Sequence, residues 1–212
     1  MKTSEKLLAR SLAAASLALV AMVPVAQAQV DVSASAAVAN MYYFRGFDLG
    51  NGDAAVSGDL SISAGGAYGG IWASSGDAAL GTEYDLYAGY GKSFGDFSVD
   101  LSAVSYVYPS DPADSDVGDL TEVILGLGYG PFAATYVDNV AGAAGYWYSS
   151  VGATFDAFSL TYGLHENDYA HFDLSYAYND NLSFILGLVV DDVNGTEDDD
   201  PKFVVSYTLP IE

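Results

Sequence analysis

The chain has 212 residues, of which 51% are hydrophobic and 14% aromatic, and its formal net charge is −22 at pH 7. Nucleic acid is excluded as a partner, because neutralising phosphates requires clustered Lys and Arg side chains. A disordered acidic tail is also excluded, since this aromatic and β-branched content is what a chain needs to bury surface. The sequence has no cysteine, so no disulfide framework is expected.

Residues 1–28 have the pattern of a secretory signal peptide. Basic residues precede an apolar run and a small-residue cleavage site: Lys2, Lys6, Arg10, then Leu12 to Val25, then Ala26-Gln27-Ala28. We therefore expect cleavage after Ala28 and a single exported domain over residues 29–212. Gln29 follows the site where a lipoprotein would have Cys, so no lipid anchor is expected. The mature chain keeps three of the six basic residues and 27 of the 28 acidic ones.

Alternation of apolar and polar residues predicts about twelve β-strands in the mature chain. It is clearest where Phe158, Leu160 and Tyr162 alternate with Ser159 and Thr161. No mature segment reaches the roughly 18 uninterrupted apolar residues of a membrane helix. In chain order, the predicted strands are 30–44, 56–63, 68–74, 83–94, 97–103, 122–129, 132–137, 145–155, 158–165, 171–178, 182–190 and 203–209.

The predicted connections alternate between short and long. Short turns are expected at 64–67, 95–96, 130–131, 156–157 and 180–181, and long loops at 45–54, 75–82, 110–118, 138–144, 166–168 and 191–201. Bacterial outer-membrane barrels have short periplasmic turns and longer extracellular loops. An even number of strands also puts both ends of the chain on the short-turn side. The pattern therefore predicts an all-β, transmembrane, up-and-down antiparallel barrel of about twelve strands.

The direction in which the two faces point is not set by periodicity alone, because a soluble barrel has apolar side chains inside. The signal peptide, the loop alternation and the Tyr and Trp residues near strand ends favour lipid outside, since aromatic rings settle at the membrane interface. The polar faces then point into the barrel. This predicts the following pore-lining residues: Arg45, Asp59, Glu83, Asp85, Asp100, Glu122 and Asp173.

Spaced aromatic and glycine motifs follow one another between Ala39 and Pro109. In order, they are Tyr43-Phe44-Arg45-Gly46, Gly58, Tyr68-Gly69-Gly70-Ile71-Trp72-Ala73-Ser74, Glu83-Tyr84-Asp85-Leu86-Tyr87-Ala88-Gly89-Tyr90 and Tyr108-Pro109. In these motifs the chain resembles the TorF family, whose members are inferred to be porins. Beyond Glu122 the likeness rests on length and strand pattern. The resemblance implies an outer-membrane barrel with a channel role, and it names no substrate.

The predicted lumen is rich in carboxylates. A barrel of this size lies between about eight strands, which side chains fill, and roughly sixteen to eighteen, which leave an aqueous channel. An acidic interior attracts cations, as acidic rings do in cation channels. We therefore expect a narrow, cation-preferring porin for passive diffusion of small solutes or ions. In the alternative interpretation, Arg45 pairs with one or two of these acids and plugs the lumen.

Two other classes of function stay open. A barrel without conductance could bind a partner through its acidic loops, and these loops could also chelate divalent cations that bridge to lipopolysaccharide. An outer-membrane hydrolase would use His171 beside Asp173, with Ser175 on the same face, or His165 beside Glu166 and Asp168 in a loop, but residues two apart on a strand do not by themselves form a triad. We therefore predict no enzyme, cofactor or structural metal. The expected partners are outer-membrane lipid, lipopolysaccharide and small solutes, and the oligomeric state is open.

Overall fold

The computed structural model describes residues 29–143, 145–193, 195 and 199–211, so the predicted signal peptide lies outside the described residues. Among these residues, there is no helix long and apolar enough to cross a membrane. The described strands are β1 Asp31–Ala39, β2 Tyr43–Phe44, β3 Phe47–Asp48, β4 Ala55–Ala64, β5 Ala67–Asp77, β6 Gly81–Phe94, β7 Phe97–Val107, β8 Leu120–Tyr129, β9 Phe132–Ala141, β10 Trp147–Phe155, β11 Phe158–His165, β12 Tyr169–Ala177, β13 Leu182–Asp192 and β14 Lys202–Ile211.

Twelve of the described strands, β1 and β4 to β14, form one closed antiparallel barrel in chain order. The first and last strands close it, with Ala39 opposite Ser206 at one end of the pairing and Ala34 opposite Ile211 at the other. Because β2 and β3 leave the sheet, β1 pairs directly with β4 on its other side. The predicted all-β, up-and-down barrel of twelve strands is confirmed.

The connections divide the barrel into two ends. At the short-turn end, four turns occupy only residues 65–66, 95–96, 130–131 and 156–157, and a fifth occupies 178–181. A residue with positive φ begins each of the two-residue turns, as at Gly65 (φ 57°) and Asp156 (φ 52°). The connections at the long-loop end span 40–54, 78–80, 108–119, 142–146, 166–168 and 193–201. The predicted alternation of short and long connections holds only in part, because 78–80 and 166–168 at the long-loop end are shorter than 178–181 at the short-turn end. The predicted long loop 75–82 is wrong in extent, since β5 continues to Asp77 and β6 begins at Gly81.

The exterior of the barrel is apolar and its interior is mainly polar, with two buried apolar clusters, one around Val104 and one around Tyr43. On β12, Phe172 and Leu174 face outward and are 36% and 47% exposed, whereas the alternating His171 and Asp173 are 1% and 7% exposed. The same division holds on the other strands, and buried polar residues include Arg45, Glu83, Asp85, Asp100, Ser102, Glu122, His165, Lys202 and Ser206. A soluble barrel has the opposite arrangement, with apolar side chains filling its centre.

The predicted strand 30–44 and the predicted surface loop 45–54 are both wrong in part. β1 ends at Ala39, and residues 40–54 form what we call the plug segment, which folds into the barrel from the long-loop end. At its tip is the inner hairpin, β2 and β3, in which Phe44 pairs with Phe47 across a two-residue turn. Both turn residues have positive φ, 49° at Arg45 and 92° at Gly46. Such turns suit the right-handed twist of a hairpin, which is why the chain reverses here.

Candidate functional site in the barrel lumen

Arg45 anchors the tip of the inner hairpin to the barrel wall. Its Nη1 donates to Glu122 Oε1 at 2.9 Å and its Nη2 to Glu122 Oε2 at 2.8 Å. The phenol of Tyr106 also donates to Oε2, at 2.7 Å. Arg45 is 7% exposed and Glu122 is 5% exposed. A two-pronged pair of this kind fixes orientation as well as charge, so it holds the hairpin against β8 in one position.

The backbone of the hairpin is held by side chains at the long-loop ends of β11 and β12. His165 Nε2 donates to the carbonyl of Arg45 at 2.9 Å, and the phenol of Tyr169 donates to the carbonyl of Gly46 at 2.9 Å. Phe47 stacks on the ring of Tyr169 with centroids 4.4 Å apart. A Cβ at Gly46 would lie 2.8 Å from His171 and 2.9 Å from Tyr169, so only glycine fits between these rings.

His171 and Asp173 form the third contact with the plug segment. His171 Nδ1 lies 3.1 Å from Asp173 Oδ1, and the phenol of Tyr148 lies 3.2 Å from His171 Nε2. Tyr43, from the hairpin, donates to the same Asp173 oxygen at 2.5 Å. Among the hydrogen bonds of the described residues, none joins Ser175 to His171. The base of a serine hydrolase needs a nucleophile within hydrogen-bond reach, and here a phenol occupies that position.

Glu83 and Asp85 lie side by side on β6 beneath the long-loop end. Tyr108 donates to Glu83 Oε1 at 2.8 Å, and Tyr42 of the plug segment donates to Oε2. Burial raises the pKa of Tyr42 and of Tyr108, so both phenols keep the protons that they donate. Asp85 is 9% exposed, and its Oδ1 has no hydrogen-bond partner within the described part of the chain.

Two further carboxylates lie nearer the middle of the barrel, on the wall formed by β4 to β7. Tyr87 donates to Asp59 Oδ2 at 2.7 Å, and Tyr68 donates to Asp100 Oδ1 at 2.8 Å. Neither carboxylate forms an ion pair with any described residue. This wall therefore carries negative charge that the described protein groups leave without a counter-charge.

The rest of the short-turn half of the lumen is lined by small polar side chains. They are only partly buried, which indicates that solvent enters the barrel from this end. They include Ser35, Ser61, Thr135, Ser150, Thr161, Ser175, Ser183 and Thr208. The lumen thus has a packed half below the long loops and an open half above the short turns.

The matching family model is described as a bacterial protein of unknown function, Gcw_chp, and it matches residues 24–196. The chain belongs to the Gcw_chp family. In this Gcw_chp protein the match includes β1 to β13, and with them the inner hairpin and all seven residues predicted to line the lumen. The comparison with curated proteins found no match.

The structure brings two pairs of the predicted residues together, Arg45 with Glu122 and Glu83 with Asp85. Asp173 instead contacts the inner hairpin, and Asp59 and Asp100 lie apart on one wall. The phenols that bind these carboxylates were missed by the sequence interpretation. The sequence could have indicated two of these phenols, because Tyr68 and Tyr87 each belong to a Tyr-x-Gly motif. A glycine leaves room for a tyrosine ring of the neighbouring strand to lie over it. Within the described residues, no group of three or more His, Cys, Asp or Glu side chains is arranged to hold a metal ion.

Proposed function

We propose that this protein is an outer-membrane channel for small solutes or ions. The observation that carries the proposal is the apolar exterior of a closed barrel with a polar interior. Large apolar side chains such as Leu60 (52% exposed) and Leu160 (49%) face outward on β4 and β11. Lipid is the environment in which such a surface is stable, and a closed barrel leaves no strand edge unpaired there.

The constriction of the proposed channel is the inner hairpin. Small polar side chains line the half open to solvent, whereas Arg45, Tyr43 and their partners fill the other half. We infer that solutes enter freely from the short-turn end, which faces the periplasm in barrels of this type, and that passage past the hairpin limits the rate.

The proposed selectivity is for cations. Six carboxylates predicted to line the lumen lie buried or half-buried in the barrel, and Arg45 neutralises one of them. Carboxylates in a confined pore attract cations and repel anions. The likeness to the TorF porins in residues 39–109 agrees with a channel and adds nothing on selectivity.

The test is conductance of the refolded mature protein in a planar bilayer under a KCl gradient. Discrete steps with a reversal potential of cation-selective sign are expected, and Asp100→Asn should reduce the selectivity. Asp96→Asn is the matched control, because Asp96 lies exposed in the β6–β7 turn and outside the lumen. Steps of equal size and selectivity in all three proteins would contradict the proposed lumen charge.

A second candidate function is a sealed barrel that acts through its acidic outer loops. The bidentate pair between Arg45 and Glu122 favours it, since that pair locks the hairpin across the lumen. Stable insertion without conductance would support this function over the channel. We propose a structural role for His171 in both cases, because its hydrogen bonds go to Asp173 and Tyr148 within the packed half.

A further inference from the structure

A palindromic pair of motifs lies at the centre of the β4 to β7 wall. Tyr68 and Gly70 on β5 face Gly89 and Tyr87 on β6, so that each tyrosine is paired directly with the glycine of the other strand. A Cβ at either glycine would overlap the facing phenol. Each ring therefore lies across its partner glycine and along the wall. Their centroids are 6.4 Å apart.

The two flanking strands extend the same symmetry. The sequence Asp-Leu-Ser occurs on β4 as residues 59–61 and on β7 as residues 100–102. Tyr87 reaches across β5 to Asp59, and Tyr68 reaches across β6 to Asp100. Four strands are thus related by an approximate two-fold axis between β5 and β6. On β4 to β7 in turn, the pattern is Asp-x-Ser, Tyr-x-Gly, Tyr-x-Gly and Asp-x-Ser. We call these residues the tyrosine wall: Asp59, Ser61, Tyr68, Gly70, Tyr87, Gly89, Asp100 and Ser102.

The carboxylates of the tyrosine wall have no counter-charge among the described residues; Asp100 is buried and Asp59 is half-buried. Asp100 is 9% exposed, and its Oδ2 has no hydrogen-bond partner among the described residues although Oδ1 accepts from Tyr68. Burying an unpaired charge is costly. The basic side chains of the mature chain are engaged elsewhere: Arg45 with Glu122, Lys92 over the ring of Phe94 and Lys202 with the carbonyl of Asp200. None of them supplies a counter-charge to the tyrosine wall, so an external cation can fill that role.

The ring faces of the two tyrosines and the two carboxylates indicate which class of ligand the tyrosine wall could bind. Both phenol hydrogens are donated to carboxylates, so the rings of Tyr68 and Tyr87 present aromatic surface, which attracts ammonium groups. By register, the Cα atoms of Asp59 and Asp100 are three strands and six residues apart, which is roughly 25 Å along the wall. Their carboxylates are closer to each other, because each accepts a hydrogen bond from one of the two neighbouring rings. One small ammonium ion could contact a single carboxylate at a time. A chain carrying several ammonium groups could contact a carboxylate and both rings together.

We propose that the tyrosine wall binds linear aliphatic polyamines within the lumen. The inference rests on the proposed function, because it needs a lumen open to solvent. Ammonium groups pair with Asp59 or Asp100, and the aliphatic chain with its remaining charges lies on the two rings. The approximate two-fold axis makes the two halves of the site equivalent in kind, so a polyamine can be passed from one carboxylate to the other.

Isothermal titration of spermine into the refolded protein in neutral detergent tests the proposal without requiring conductance. Because either carboxylate can hold an ammonium group, Asp59→Asn and Asp100→Asn should each weaken binding only about twofold, and the double variant should weaken it by about tenfold, as expected for a hydrogen bond to a charged group. Asp96→Asn should bind as the wild type does. Tyr68→Phe should keep most of the affinity because the ring remains, whereas Tyr68→Leu should lose roughly three- to tenfold.

A second readout locates the ligand. The sequence has two tryptophans, and Trp72 is on β5 on the same face as Tyr68 and Gly70. In a Trp147→Phe background, spermine should therefore change the fluorescence of Trp72, and Asp59→Asn should weaken that change because Asp59 is paired with Trp72 across the strands. Maltotriose, a neutral ligand for aromatic surfaces, should leave the signal unchanged.

The outcomes separate this inference from the channel itself. Equal spermine affinity in the wild type and in the double variant with both Asp59→Asn and Asp100→Asn would overturn the tyrosine wall as a polyamine site, even if the protein conducts. Maltotriose binding as tightly as spermine would overturn recognition by charge. Conversely, wall-dependent binding in a protein that never conducts would leave this site standing and remove the channel.

Discussion

The two halves of the lumen share one barrel wall and differ in what fills it. In the long-loop half, aromatic and charged side chains from the plug segment meet those from the wall, and Val104, Tyr169, His165 and His171 are almost fully buried. In the short-turn half, the same inward-facing positions carry small polar residues that are partly exposed. The comparison teaches that closure is a property of the plug segment and its partners rather than of the number of strands.

Breaking the Arg45 pair should have the largest effect on this contrast. Arg45→Ala leaves Glu122 as a buried charge without its partner, which should lower the free energy of unfolding by about 3–5 kcal/mol. The hairpin also loses its anchor on β8, so single-channel conductance should rise. Urea titration in detergent micelles and bilayer recording measure the two effects.

Lys92→Ala is the matched control for removing a positive charge. Lys92 is exposed on the outer face of β6, near the short-turn end. It should unfold and conduct as the wild type does. If Arg45→Ala behaved like Lys92→Ala in both measurements, the inner hairpin would not be the constriction.

Crowding around the hairpin turn should give the next largest effect. Gly46→Ala places a methyl group against His171 and Tyr169 at a φ of 92°. Strain and overpacking together should cost about 2–3 kcal/mol of stability. Gly52→Ala is matched in backbone conformation, with a φ of 84°, and its Cβ would meet nothing within 4 Å. It should cost only about 1 kcal/mol. Equal losses in the two variants would show that backbone strain, and not packing in the lumen, sets the cost.

The barrel could be predicted from the sequence because alternation and loop length are local patterns. The inner hairpin could not, although its Arg45-Gly46 turn lies between aromatic residues as a two-residue hairpin turn can. The end of β1 at Ala39 could not be recognised, because the alternation of apolar and polar residues continues beyond it. Whether such a turn leaves the sheet depends on long-range contacts, such as that of Tyr43 with Asp173.

The candidate site divides in the same way. Inward-facing carboxylates follow from strand phase, so Glu122 and Asp100 could be assigned to one face of their strands. Their partners could not be assigned, because Arg45 is 77 residues from Glu122 and Tyr68 is 32 from Asp100 in the chain. The register of β5 against β6 was needed before the two Tyr-x-Gly motifs could be seen to face each other.

Thiol labelling can measure solvent access in the two halves of the lumen, because the native sequence has no cysteine that would react as well. Ser175 on β12 lies in the open half and is partly exposed, whereas Val204 on β14 is 3% exposed beside Tyr43. A small charged thiol reagent should modify Ser175→Cys at least about tenfold faster than Val204→Cys, since a buried thiol is shielded from solvent and reagent. Similar rates would mean that the two halves are equally wet. Adding Arg45→Ala to Val204→Cys should then narrow the difference, because the released hairpin uncovers β14.

The smallest effect expected is the loss of one hydrogen bond to the hairpin backbone. Tyr169→Phe removes the donor to the carbonyl of Gly46 and keeps the ring that stacks on Phe47. Because the carbonyl stays buried, the variant should lose about 1–2 kcal/mol of stability and keep the conductance of the wild type. Tyr207→Phe, on the outer face of β14 where Tyr207 is 43% exposed, should change neither value. A conductance increase in Tyr169→Phe as large as that in Arg45→Ala would mean that the hairpin is held by the sum of weak contacts, and that the Glu122 pair has no special part in closing the lumen.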